Sequence, residues 1–502
     1  MYDVCVIGAG VVGASIAREL SKYRLKTILL EKAEDVSQGS SKANSGIVHG
    51  GYSAKHGTLK GDLSAEGNRR YTALNEELHF GFRRTGSLVL GFNEEDEQAI
   101  EALYANGKEN NAEGLEIISG AEVREMEPNV STDVRLALYC ASAGVTSPCE
   151  LVIALVENAI HNGVELRLNA EVTAIEPGDP FIVHSTAGEV EASFVVNAGG
   201  VFSDRIAEMV GARDFTILPR KGEYVLFERG YGKLVRTVVF QTPSAKGKGI
   251  LVTSTFHGNL MIGPNAEDTA SRDAVDTTEE ALREIIETAR RSVPSFDLRK
   301  VITNFSGLRA TSDRKDFIIE ESSVPRFINV AGIESPGLTS SPVIAERTVE
   351  IAKRAGLSLV PNRAFDPLRR AIIVPKSLPP EEVERRLKLD SSSPERLVCR
   401  CEQVSEREIL DAMARGIPVT TTDAVKRRTR AGMGQCQGNF CRSRVKALLA
   451  RELGKEPSEI RVRANELATA NRPKRIFFFN LAKEGDNRDL AGAGAGGTGG
   501  GD

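Results

Sequence analysis

Four cysteines late in the chain are the residues whose type and spacing most plainly point to chemistry. Cys399-Arg400-Cys401 and Cys436-Gln437-Gly438-Asn439-Phe440-Cys441 read C-x-C, then 34 residues, then C-x4-C. Four thiolates can hold a [2Fe-2S] cluster, two on each iron. Residues 391–460 carry 13 Lys/Arg against 9 Asp/Glu, a local surplus that favours thiolates and an anionic cluster. Gly432, Gly434 and Gly438 let backbone N–H groups come near the sulfurs. The alternative is a structural zinc site, but zinc knuckles usually read C-x2–4-C and the tight C-x-C departs from that. Cys5, Cys140 and Cys149 have no activating neighbour in sequence and are expected to be inert.

A second constellation lies at the other end. Gly8-Ala9-Gly10-Val11-Val12-Gly13 fits G-x-G-x-x-G between an apolar strand and a helical pattern, the context a dinucleotide site requires. Gly8 permits the tight turn, Gly10 lets backbone approach a pyrophosphate, and Gly13 lets helix pack on strand. The helix N-terminus turns its positive dipole end to the phosphates. Glu31 ends the next strand, where a carboxylate accepts hydrogen bonds from a ribose 2′-hydroxyl. Gly492 to Gly497 repeats the pattern without a strand before it or a helix after it, and is discarded. The fingerprint does not choose between FAD and NAD. Three further close-approach segments favour a long, extended cofactor: Gln38 to Gly46, Asn197 to Gly200, and Gly332 to Thr339.

These sites need elements to position them. The chain has 502 residues, about three domains by length. Hydrophobic residues make up 41% and charged residues 27%, which excludes a disordered or fibrous chain. The net charge of -4 shows no basic surplus for nucleic acid. No apolar run approaches the ~18 residues of a spanning helix, and MYDVCVIGAG looks like a first strand, not a signal peptide. Seven cysteines are too few for a disulfide scaffold of this length and suit a reducing compartment. Strands are expected at Tyr2–Ile7, 27–30, 164–168, 171–175, 223–227, 250–254, 259–262 and 327–331, with helices at 12–22 and 149–161. The fold class is α/β: a Rossmann-like FAD-binding domain with an inserted antiparallel-sheet substrate domain, plus a small α-rich C-terminal iron–sulfur domain. The boundaries are 1–85, 145–215 and 300–365 for the FAD-binding domain, and 86–144 and 216–299 for the substrate domain. Residues 366–394 form a linker, 395–455 the iron–sulfur domain, and 456–502 an extension with a disordered end. Its Ile476-Phe477-Phe478-Phe479 run is too short to enter a membrane and is expected to dock on the body or a partner.

Several segments carry a resemblance to a known family. They are Ser41 to Tyr52, Lys55 to Lys60, Asn197-Ala198-Gly199-Gly200 and Gly307-Leu308-Arg309, together with the cysteine module. Over about residues 2–455 the chain resembles FAD-dependent oxidoreductases of the D-amino-acid oxidase type, in particular the anaerobic-type glycerol-3-phosphate dehydrogenase large subunits fused to a BFD-like [2Fe-2S] domain. The resemblance implies FAD at Gly8, Gly10, Gly13, Glu31, Lys32, Ser40, Ser41, Ser45, Gly46, Val172, Gly199, Gly307, Gly337, Leu338 and Thr339. It implies the cluster at Cys399, Cys401, Cys436 and Cys441. In the family the segment around His49 passes near the isoalloxazine and the inserted sheet covers the flavin. His257, in a turn of that sheet, is therefore the preferred base and His49 the second candidate. Arg309 is expected to face an anionic substrate, phosphate or carboxylate, with Lys55 and Lys221 as second charges. The implied activity is oxidation of sn-glycerol 3-phosphate to dihydroxyacetone phosphate. Electrons would leave through the cluster to a partner subunit, for which a second flavoprotein is a candidate. An L-2-hydroxyglutarate or amino-acid dehydrogenase is the nearest alternative, and a non-catalytic electron-transfer subunit the second. The expected location is cytoplasmic, with peripheral membrane association left open.

Overall fold

The computed structural model describes residues 1–243, 249–371, 378–390, 393–463 and 471–494, with side chains described to residue 484. The first strand, Tyr2–Ile7, is apolar on both faces because both faces are covered. Val4 and Val6 enter one core, while Cys5 and Ile7 enter another on the far side. The strand pairs in parallel with Gly188–Asn197 on one side and Thr27–Leu30 on the other. Glu165–Arg167 extends the sheet beyond Thr27–Leu30, and Phe327–Ala331 joins Gly188–Asn197 in parallel. A hairpin, Val172–Glu176 and Phe181–Ser185, completes one flank. Helices Val11–Ser21, Pro148–His161 and Gly337–Arg354 cover one face of this eight-stranded sheet. Helix Ser203–Met209 covers the other. The strands and helices read from sequence recur here within one or two residues, except that Glu223–Phe227 is only the middle of a longer strand.

That strand, Ile217–Arg229, belongs to a second sheet of nine strands. Stretch 86–144 supplies Ser87–Gly91, Leu115–Ser119 and Leu136–Cys140. Stretch 216–299 supplies Val238–Gln241, Leu251–Ser254 and Asn259–Gly263 alongside the long strand. The pairing is antiparallel apart from Val238–Gln241 against Ser87–Gly91. Strand Val301–Ser312, which the sequence reading gave to the FAD-binding domain, runs hydrogen-bonded along Ile217–Arg229 and belongs to this sheet.

The C-terminal module folds around its own core, with Val398, Ile409, Val425, Val445 and Leu449 inside. Helices Glu406–Met413, Thr422–Thr429 and Arg442–Leu453 make it α-rich, with a short pairing of Leu397–Cys399 and Val404–Ser405. The segment before it is no free tether. Arg369 is buried and donates Nε to Glu157 Oε2 at 2.5 Å, the Asp366 carbonyl accepts from Asn158 and Asn162, and Pro380–Leu387 is helical. Ser391-Ser392 lie outside the described residues.

The extension also departs from expectation. Helix Arg475–Gly494 takes in Gly492 and Gly494, where disorder was expected, and residues 495–502 lie outside the described residues. Phe477 and Phe478 are buried in the core of the second sheet, so this run docks on the body. Among the described residues no helix is long and apolar enough to cross a membrane.

Candidate active site

The glycine loop has the geometry its sequence demands. Gly8 has φ +103°, and a Cβ there would lie 2.5 Å from the Ala198 carbonyl oxygen. A Cβ on Gly13 would lie 1.9 Å from the Gly8 carbonyl oxygen, so helix and strand meet only through glycine. Gly10 caps helix Val11–Ser21, whose first N–H donates to Ser41 Oγ at 2.9 Å. Glu31 is buried at the end of its strand. Burial pushes its carboxyl up, opposed by N–H bonds from Ala33 at 3.0 Å and Ala9 at 2.8 Å.

A cavity of about 2220 Å³ runs from this loop between the two sheets. Of the fifteen residues expected to hold FAD, all except Gly13 and Thr339 line it. Gly13 lies behind the turn. Thr339 Oγ1 accepts the His49 N–H at 2.9 Å and so fixes the segment around the predicted flavin end. Gly307 stands where a Cβ would be 1.9 Å from the Ala43 carbonyl oxygen, so strand and cofactor loop touch through bare backbone. Ser40 Oγ bonds the Leu308 carbonyl beside it. A buried carboxylate at one end, a helix N-terminus in the middle and glycine backbone at the other end fit an extended dinucleotide. Lys32 sits at the Glu31 end, its ammonium 3.6 Å from the Phe202 ring centroid.

At the other end of the cavity stands Arg309. Its guanidinium lies across Gly222 and donates to the Lys221 carbonyl at 3.3 Å and the Asn265 carbonyl at 3.1 Å. Among the described residues no carboxylate pairs with it. Tyr224, buried beside it, bonds Ser45 of the cofactor loop and stacks on Phe305 at 4.8 Å. Burial raises the Tyr224 hydroxyl, opposed by the Arg309 charge and the Ser45 hydrogen bond. Thr311, two residues along the strand from Arg309, donates to Glu334 Oε2 at 2.8 Å. Ser335 follows, with Oγ 3.4 Å from His49 Nε2, and the His49 ring stacks on Phe240 at 6.0 Å. The fold thus brings Arg309 together with Tyr224, and Ser335 together with His49, and all four line the one cavity. Sequence reading singled out Arg309 and His49. Ser335 lay inside a segment already marked as a close approach. Tyr224 and Phe240 carried no signal beyond strand alternation.

The other expected groups fall elsewhere. Lys221 is buried in an ion pair with Glu223 at 3.1 Å, which removes it as a second substrate charge. Lys55 is exposed and does not line the cavity. His257 does line it, but its Nε2 lies 3.0 Å from Glu150 Oε1. It also precedes strand Asn259–Gly263, whereas Asn265, which holds Arg309, follows that strand. His257 and the turn that holds Arg309 thus lie at the two ends of strand Asn259–Gly263, and both histidine and arginine line the cavity. Cys149 lines the cavity beside Ser37, and burial pushes its thiol up, away from the reactive form.

The four module cysteines come together in pairs. Cys399 shares a hydrogen bond with Cys441, and Cys401 with Cys436. The Cys399 thiol is pulled down to about 6, chiefly by the bond from Cys441, then by N–H groups of Gly432 and Glu402. Among the described residues no three ligand-type side chains converge on a point for a single metal ion. Two pairs are the donor set a two-iron cluster uses. Gly434 fits only as glycine, since a Cβ there would lie 2.3 Å from Cys401 Cβ. The module docks on the flavin fold: Asp35 is clamped by Arg427 and Arg428, Glu157 meets Arg415 at 3.8 Å, and Ile417 is buried in the flavin-side core. Lys426, Arg427, Arg430, Met433 and Gln437 close that end of the cavity.

Comparison with known proteins agrees with this layout. Residues 3–351 match the FAD dependent oxidoreductase family model, and residues 397–451 match the BFD-like [2Fe-2S] binding domain. The chain is 47% identical over 462 residues to a glycerol 3-phosphate dehydrogenase of Caloramator mitchellensis, covering 92% of this chain and 96% of that one. It is 30% identical over 360 residues to a glycerol 3-phosphate oxidase of Mycoplasma genitalium, covering 70% of this chain and 94% of that one. Among solved structures it superposes with TM-score 0.70 and 27% identity on the dithionite-reduced, FAD-bound L-alpha-glycerophosphate oxidase of Mycoplasma pneumoniae, covering 73% of this chain and 98% of that one.

Proposed function

The chain belongs to the FAD dependent oxidoreductases and carries a BFD-like [2Fe-2S] domain, and on that premise we propose that it oxidises sn-glycerol 3-phosphate to dihydroxyacetone phosphate. One observation carries the choice of substrate class: Arg309 lines the cavity with N–H donors left over beyond its two bonds to backbone carbonyls and with no carboxylate partner among the described residues. A guanidinium so placed receives a dianionic phosphate through paired N–H bonds. Bound FAD supplies a two-electron acceptor for hydride, and the cluster a one-electron carrier. His49 Nε2 takes the proton of the substrate hydroxyl, in place of His257. Phe240 and the Thr339 bond limit how far the His49 ring and its backbone move, and Ser335 Oγ orients the ring nitrogen. Tyr224 ties the cofactor loop to the arginine end through Ser45.

In this reading electrons leave through the cysteine module to a partner protein, a second flavoprotein being the candidate, and the enzyme works in the cytoplasm or at the membrane surface. Anaerobic mixing of the FAD-loaded protein with glycerol 3-phosphate, L-2-hydroxyglutarate or amino acids, followed at the visible flavin band, tests the substrate. Bleaching by glycerol 3-phosphate alone is expected. Bleaching by L-2-hydroxyglutarate or an amino acid instead transfers the substrate assignment, and bleaching by none leaves an electron-transfer subunit.

A further inference from the structure

Glu402 follows Cys401 and is fully buried. Its Oε2 accepts a hydrogen bond from Arg430 Nε at 2.8 Å and lies 3.7 Å from Arg229 Nη1. Its Oε1 is buried without a hydrogen-bond partner among the described residues. Arg430 is buried as well and turns its Nη2 to Asn259 Oδ1 at 3.2 Å, on the inserted sheet. The Arg430 backbone has φ +68°, a left-handed conformation that non-glycine residues adopt only when their surroundings hold them there. Its N–H bonds the Lys426 carbonyl at 2.8 Å and ends helix Thr422–Thr429. Two residues on, the Gly432 N–H reaches the Cys399 sulfur. One residue therefore neutralises the carboxylate beside Cys401 with its side chain and sets the loop over Cys399 with its backbone.

We propose that Arg430 is a positioning residue for the cluster, and that the Arg430–Glu402 pair sets the reduction potential of the module. Reduction adds one electron, and so one negative charge, to a site flanked by these two buried charged side chains. A buried carboxylate next to a ligand opposes that charge and a guanidinium favours it. With Arg430 replaced, Glu402 keeps a cation at Arg229, so its charge persists and the cluster becomes harder to reduce. The inference rests on the module's [2Fe-2S] cluster and is independent of the substrate proposed above.

The test is a redox titration of the anaerobically purified full chain, read by electron paramagnetic resonance, with iron and acid-labile sulfide measured in parallel. At the wild-type midpoint, Arg430→Gln is expected to show a reduced-to-oxidised cluster ratio about threefold or more lower, and Glu402→Gln a ratio about threefold or more higher, on the one-electron scale. Arg430→Lys, which keeps the charge, stays near the wild type. The flavin bleaches with substrate in all three. Unchanged ratios in both Arg430→Gln and Glu402→Gln at full iron content overturn the proposal. So do shifts of both variants in the same direction, which would mark a disturbed loop. If Arg430→Gln fails to load iron, Glu402→Gln decides: a raised ratio supports the proposal and an unchanged one sinks it. If neither variant loads iron, the pair is structural and the proposal fails.

Discussion

Asp35 and Arg428, 393 residues apart, form a buried two-point ion pair, with Arg428 Nη2 donating to Oδ1 at 2.7 Å and Nη1 to Oδ2 at 2.8 Å. Arg427 adds a third bond to Oδ2 at 2.8 Å. Asp35 lies four residues past Glu31 and just before the loop that runs along the cavity, so one carboxylate joins the nucleotide end of the flavin fold to the cysteine module.

Replacing Asp35 by Asn should free the module. Two arginines would be left buried without their counter-charge, a loss of about 3–5 kcal/mol for a broken buried pair. Urea unfolding should then show a separate early transition for residues 395–455, with flavin absorbance lost only in the later one. The pH dependence has a definite sign. Burial raises Asp35, but the bonds and charges of Arg428 and Arg427 outweigh it and hold the carboxyl below its ordinary range. A depressed carboxyl stabilises the folded state above its unfolded pKa, about 3.9, and loses that stabilisation as pH falls through the lower folded value. Docking should therefore weaken on acidification in the wild type, and Asp35→Asn should lack that component. A single transition in the variant, identical to the wild type, would refute the clamp.

Gly307→Ala and Glu31→Arg should both lose FAD, for different reasons. The first places a Cβ 1.9 Å from the Ala43 carbonyl oxygen and pushes the cofactor loop away from the strand. The second removes the carboxylate at the ribose position and adds an unpaired buried charge. The chain contains no Trp, so visible flavin absorbance after purification with added FAD is a clean readout. Yellow protein at full occupancy from either variant contradicts the assignment.

Arg309 and His49 should separate binding from proton transfer. Arg309→Lys keeps the charge and loses the fork, so KM for glycerol 3-phosphate should rise by roughly tenfold with kcat changed less. His49→Asn should slow substrate-driven flavin reduction by about 10²-fold or more with FAD retained. His257→Ala should leave that rate nearly unchanged, because the ring stands beside Glu150, at the opposite end of strand Asn259–Gly263 from the turn that holds Arg309. A large loss in His257→Ala with a normal His49→Asn would return the base role to His257.

Cys436→Ser should lose or weaken the cluster while substrate still bleaches the flavin. The flavin fold and the module have separate cores, so the loss should stay local. Iron and acid-labile sulfide analysis decides between metals, and one zinc per chain without iron would make the module a structural clip.

Phe478→Ala should cost about 3–5 kcal/mol of stability in the inserted sheet, since Phe478 is fully buried in its core. Thermal unfolding is the measurement. A stability within about 0.5 kcal/mol of the wild type, the range of an ordinary surface change, would mean the extension is dispensable.

Local patterns were legible wherever the physics is local. Gly8, Gly10 and Gly13 announce a strand–turn–helix because only glycine allows those approaches, and the cavity passes Gly8, Gly10 and Glu31. The cysteines are equally plain, since ligand spacing is a property of short segments. Arg309 and His49 were found only as members of recognisable segments, and nothing in the chain's spacing says that Ser335 and His49 meet. Their neighbours Tyr224 and Phe240 lie on strands where every second residue looks alike.

The amino-acid sequence alone determined the class of protein: a dinucleotide fold, a four-cysteine module, and an arginine suited to an anion. These follow from backbone sterics, ligand chemistry and hydrophobic period, all of which act over a few residues. Tertiary structure decided which groups work together. It spent Lys221 on Glu223 and held His257 beside Glu150. It brought Ser335 to His49, buried Phe478, and set Asp35 against Arg428. Partners hundreds of residues apart are chosen by sheet register and domain docking, and those are settled by packing the whole chain at once.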